Sequence, residues 1–123
     1  MTTTTKLETR SAGSPDEVRP FAGNGMAEIF TLAGREISKG TFEPGWRWSE
    51  NVQPIAQTDS CQASHYGYLE SGRMTIRMDN GSETTVGAGD FVTIPPGHDA
   101  WIEGDETCVF IDFGDVGEYA KPR

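Results

Sequence analysis

The chain has 123 residues, 35% hydrophobic and 24% charged, which suits one domain with one core. Nineteen acidic against ten basic side chains give a formal charge of −9, and no basic stripe is present, so nucleic acid is excluded as a partner. The apolar run around Val109–Ile111 falls far short of the roughly 20 residues of a membrane helix, so no membrane partner is expected.

The opening "MTTTTKLETRSAGSP" lacks an apolar secretory region, and residues 1–13 read as a polar, flexible tail ahead of a single domain over 14–123. With Cys61 and Cys108 as the two cysteines, the expectation is reduced thiols in the cytoplasm. Ser14 as a cap, Pro15 behind it and Glu17 three residues on predict one helical turn, which Pro20 limits. From residue 26 onward, short runs rich in β-branched and aromatic residues alternate with Gly, Pro, Asn and Asp. Asn80-Gly81 predicts a type I′ hairpin joining the strands of Ile76 and Val86, and "VGAGD" and "EGDE" read as further turns. No sustained helical period occurs. About nine strands at spacings of roughly 8–12 residues predict an all-β sandwich or barrel. The two cysteines do not bracket a tryptophan in the register of an immunoglobulin domain, so a jelly roll is expected.

The stretch "GDFVTIPPGHDAW" supplies a more specific signal. It resembles the second motif of the cupin superfamily, G-x5-P-x-G-x2-H-x3-N, with Gly89, Pro95 and Gly97 on the turn positions. Ala100 and Gly104 stand where that family carries histidine and asparagine. The first motif, G-x5-H-x-H-x(3,4)-E-x6-G, is matched at its ends by Gly45 and Gly72. His65 stands at its glutamate and Asn51 at its first histidine, with "NVQPIAQTDS" as a loop insertion. The resemblance covers about residues 40–113. It implies a small jelly-roll β-barrel with little helix, open at one end on a pocket that commonly holds iron, manganese, nickel, zinc or copper. Activities in the family run from dioxygenases, isomerases and lyases to non-catalytic sensors, so fold does not fix reaction.

Residues two apart on a strand share a face, so His98 and Ala100 point the same way and His98 aims into the barrel. Asp59, Cys61 and His65 share a parity in the other strand. The expected ligands are therefore His65 and His98, with Cys61 as third donor and Asp59 behind it; Glu50 and Asn51 are expected in solvent. Imidazole with thiolate suits zinc, and imidazole with carboxylate suits iron or manganese; nickel stays open. Trp46 and Trp48 would wall a substrate pocket, and Arg47, Arg73 or Arg77 would anchor a carboxylate. Tyr66 and Tyr68 fall on the face opposite His65, and Trp101 opposite His98. The expected function is a cupin-domain protein that binds a divalent metal and acts on a small organic molecule, as a homodimer. Two alternatives are a metal-free ligand-binding or sensing cupin, and a metal-free isomerase or epimerase with histidine as general base and tyrosine as acid.

Overall fold

The alternating runs pair as their composition requires, in a computed structural model that describes residues 6–114, 116 and 119–121. In chain order the strands are β1 (Glu17–Pro20), β2 (Gly25–Leu32), β3 (Arg35–Phe42), β4 (His65–Ser71), β5 (Arg73–Met78), β6 (Glu83–Gly87), β7 (Phe91–Ile94), β8 (His98–Glu103) and β9 (Cys108–Asp112). They form an antiparallel six-stranded sheet, ordered β1-β2-β3-β9-β4-β7, and a three-stranded sheet, ordered β6-β5-β8. This is the expected jelly roll of nine strands. No helix among the described residues is long and apolar enough to cross a membrane.

Alternation selects the core. On β3, β4, β8 and β9 every second residue is buried: Ser38, Gly40 and Phe42; His65, Gly67 and Leu69; His98, Ala100 and Ile102; Cys108, Phe110 and Asp112. Register puts these in rows, with Gly40 across from Phe110 and Phe110 across from Leu69 in the large sheet. Gly67, across from Asp112 in the neighbouring row, has no room for a side chain, because a Cβ there would come within 1.9 Å of the Ile111 carbonyl oxygen. Burying a large apolar side chain such as Phe42, Leu69, Ile102 or Phe110 contributes about 1.5–3 kcal/mol. Phe21, Phe42 and Trp46 fill one region together, with Phe42 and Trp46 edge-to-face at 4.5 Å.

Three local expectations are corrected. The Ser14–Pro15 helical turn does not form, because Glu17–Pro20 pairs with β2 as a strand. Its Arg19 is buried and donates to the carbonyls of Val116 and Tyr119 at 2.7 and 3.0 Å, contacts that a helical turn would forfeit. The β5–β6 hairpin forms, but only Gly81 takes positive φ, at 93°. Gly81 N–H donates to Met78 O, and Asn80 Oδ1 accepts from the Ser82 N–H, so an Asx-capped turn with a left-handed glycine replaces type I′. The insertion after Gly45 holds two single helical turns, α1 (Trp48–Asn51) and α2 (Gln53–Ala56), with Val52 between them fully buried.

Candidate metal centre

The two histidines reach the interior from opposite sheets. Gly97 takes φ of 91°, a conformation that favours glycine, and turns the chain out of Pro95-Pro96 into β8 with His98 inward. The Gly97 N–H donates to Cys61 O at 2.7 Å, and Cys61 N–H donates to His98 O at 2.7 Å. This isolated antiparallel bridge sets Cys61 directly across from His98. His65 begins β4 just beyond, on the large sheet.

Cys61, His65 and His98 are all buried, and one ligating atom from each lies within 4.8 Å of the others. Cys61 Sγ is 3.7 Å from His65 Nε2, and the two imidazole centroids are 5.2 Å apart. Each imidazole has its other nitrogen engaged. His65 Nδ1–H donates to Asp112 Oδ2 at 2.6 Å, and His98 Nδ1–H donates to the Pro95 carbonyl at 2.9 Å. A carbonyl only accepts, so the proton on His98 sits on Nδ1 and Nε2 is left for a ligand. Asp112 is fixed in turn, its Oδ1 accepting from the N–H groups of Tyr66 and Gly114 at 3.1 and 2.8 Å.

These contacts oppose burial and win. Burial alone would raise the Cys61 thiol, but hydrogen bonds and charge from His65 and His98 bring its pKa down to about 6. Burial alone would lower His65, but the bond to Asp112, then Cys61, lifts it to about 9. Both shifts run in the direction that favours a thiolate beside an imidazolium. Tyr119 packs edge-on to His65 at 5.2 Å, and burial, then the charges of Cys61 and Asp112, push its phenol well above its ordinary value.

The cluster opens on a cavity of about 30 Å³, room for about two waters. Its wall is mostly apolar and includes Phe42, Trp46, Trp48, Met74, Ile94 and Phe110, with Tyr119 also lining it. Trp46 Nε1 is the one buried side-chain polar atom, among the described residues, without a hydrogen-bond partner. An unpaired buried donor costs about 1–3 kcal/mol.

Among the residues singled out from sequence, Cys61, His65 and His98 come together, and Trp46 and Trp48 both line the cavity. Asp59 does not join them; it is exposed in the loop ahead of Cys61. None of the three arginines lines the cavity. Arg47 lies over the Trp101 ring at 4.3 Å, between Asp99 and Glu50, and Arg73 and Arg77 are exposed on β5. Glu50 is exposed as expected, but Asn51 is buried and structural, its Nδ2 donating to Ala22 O at 2.8 Å and its Oδ1 accepting from Arg47 N–H at 3.0 Å. Tyr66 and Tyr68 face outward with Phe91. Asp112 and Tyr119 escaped notice. The one available signal for Asp112 was an acid at the inward parity of Cys108 and Phe110.

The donor set fits a metal. A tetrahedral zinc with Zn–S near 2.3 Å and Zn–N near 2.0–2.1 Å sets sulfur and nitrogen about 3.6 Å apart, close to the 3.7 Å between Cys61 and His65. Carboxylate and carbonyl acceptors behind ligating imidazoles are the usual outer partners of such sites.

Residues 50–114 match the family model described as a cupin domain. No curated protein matches the sequence. Among solved structures, a double-stranded beta-helix protein from Klebsiella pneumoniae superposes with a TM-score of 0.60 at 20% identity, over 93% of this chain and 94% of that one. An RmlC-like cupin from Shewanella frigidimarina gives 0.59 at 15% identity, over 92% and 95%. A polyketide cyclase from Streptomyces resistomycificus gives 0.61 at 17% identity, over 89% and 79%. At these identities the likeness concerns the fold.

Proposed function

The chain belongs to the cupin-domain family, and from that premise we propose that Cys61, His65 and His98 hold one divalent metal, zinc by the chemistry of the donors, at which a small organic molecule is bound and polarised. The carrying observation is the convergence of three buried donors within 4.8 Å, each imidazole held from behind. Held by these three residues, zinc would supply a Lewis acid able to polarise a water or a substrate oxygen.

The chain's own residues do the rest. Asp112 takes the Nδ1 proton of His65 in a hydrogen bond, so the ring is oriented and Nε2 is made more basic. The Pro95 carbonyl does the same for His98. Cys61 contributes a thiolate already favoured near neutral pH. Phe42, Trp46, Trp48 and Phe110 keep bulk water out, which strengthens every electrostatic contact inside. The cavity of about 30 Å³ limits what enters it to a few heavy atoms.

A metal-free isomerase using His65 as general base is disfavoured. With its pKa raised to about 9, His65 holds its proton at neutral pH and accepts none. Elemental analysis of the purified protein beside the His65→Ala/His98→Ala double variant tests the proposal. Near one equivalent of metal in the wild type, lost in a variant that keeps its β-type circular dichroism, is expected. A wild type that takes up no zinc, iron, manganese or nickel overturns it.

A further inference from the structure

The geometry points to Trp46 as a ligand-recognition residue: we propose that its Nε1–H donates a hydrogen bond to an oxygen of the molecule in the cavity, which makes the ligand class small carboxylates or carbonyl compounds. The inference rests on the reading of the cavity as the binding site. Among the described residues, Trp46 Nε1 is the one fully buried side-chain nitrogen or oxygen without a partner. His65 Nδ1 is taken by Asp112 and His98 Nδ1 by Pro95, and both Asp112 oxygens accept bonds. Trp46 lines the same cavity, is only 2% exposed, and has no acceptor for its indole N–H.

The ring cannot swing out to find water. Trp46 N–H donates to Glu43 O at 3.0 Å, and Trp46 O accepts from Ile102 N–H at 3.0 Å, which ties the backbone to β8. Phe42 and Phe21 pack on its faces and edges at 4.5 and 5.9 Å between centroids. A phenylalanine here would pack against the same apolar wall without burying a donor, and an acceptor on a molecule in the cavity would give the indole N–H the partner it lacks. Indole nitrogen donates and never accepts, so the occupant's matching atom is an acceptor, and ammonium or guanidinium groups are excluded from that position. The volume of about 30 Å³ suits the polar end of a small molecule, such as one carboxylate or carbonyl group.

The test uses acetate and its neutral isostere acetamide as probes, followed by the indole ¹⁵N–¹H resonances of the zinc-loaded protein. The resonance missing in Trp46→Phe identifies Trp46, and Trp48, which also lines the cavity, reports binding in both proteins. The expected result is a saturable shift of the Trp46 resonance, and about a tenfold weaker Kd in Trp46→Phe with zinc content unchanged. A Trp46 resonance that stays still while Trp48 moves, an unchanged Kd in Trp46→Phe, or no response to either probe overturns the inference. If the protein takes no zinc yet its Trp46 resonance shifts with acetate, the metal reading fails alone and the recognition role stands. If zinc is held and Trp46 is silent, the reverse holds.

Discussion

Cys61 and Cys108 are the same residue, both buried and both unpaired thiols, yet they have opposite chemistry. Cys108 starts β9 across from Phe42, tight against Gly72, where burial and the charge of Glu106 push its thiol up to about 12. Cys61 meets two imidazoles, one from each sheet, and its thiol comes down to about 6. Burial does not decide what a cysteine does. What decides it is whether the fold delivers polar partners to the same buried spot, and of these two thiols Cys61 is the one that receives imidazoles.

The widest separation between the two sites is expected from matched substitutions. Cys61→Ser should weaken zinc binding more than about a hundredfold with little change in fold, since a serine hydroxyl can still bond to the imidazoles. Cys108→Ser should leave zinc binding intact and cost about 1–3 kcal/mol, because the hydroxyl is buried without a partner. Chelator competition and urea unfolding read the two effects. Loss of zinc on changing Cys108 would break the contrast.

Asp112→Asn sharpens it. The carboxylate that orients His65 is removed while the three donors stay, and zinc affinity should fall about 10- to 100-fold. An unchanged affinity would assign Asp112 to folding alone.

The pH dependence of ultraviolet thiolate absorbance in metal-free protein compares the two sulfurs directly. A lowered pKa leaves the group ionised above it, so the Cys61 signal should rise through pH about 6 and be missing from Cys61→Ser. Cys108 should contribute only as pH nears about 12. In Asp112→Asn, His65 loses the negative charge of its partner and with it part of its positive charge, so the Cys61 midpoint should move upward. A single wild-type transition near the ordinary thiol value, about 8.5, would contradict the imidazole contacts. The smallest effect belongs outside the cavity. Arg47→Ala loses a half-buried stacking contact on Trp101 and weak ion pairs, worth about 1 kcal/mol or less, and should leave zinc binding unchanged.

The fold was legible because short alternating runs and Gly/Pro turns are local signals. The inward aim of His98 was equally local, since Gly97 and strand parity settle it. The displaced ligand set was also readable: Ala100 is buried on the same face two residues past His98, so the imidazole stands one inward position earlier than in the cupin motif. Asp59 shared that parity with Cys61, but parity fails where the chain leaves the strand, and Asp59 lies in a loop. Asn51 showed nothing of its burial because its partners, Ala22 and Arg47, come from the insertion's own packing against the N-terminal strands. Asp112 was hidden for a different reason. Its role depends on the β9–β4 register that sets Gly67 across from Asp112, a long-range pairing that no local pattern encodes. Tyr119 reaches His65 through the Arg19 clamp, an equally distant contact.

Zinc-edge X-ray absorption on the loaded protein tests the central claim most directly. One sulfur near 2.3 Å with two imidazole nitrogens near 2.0–2.1 Å and one further light atom is the predicted shell. A shell of nitrogen and oxygen alone, with no sulfur, would remove Cys61 from the metal and contradict it.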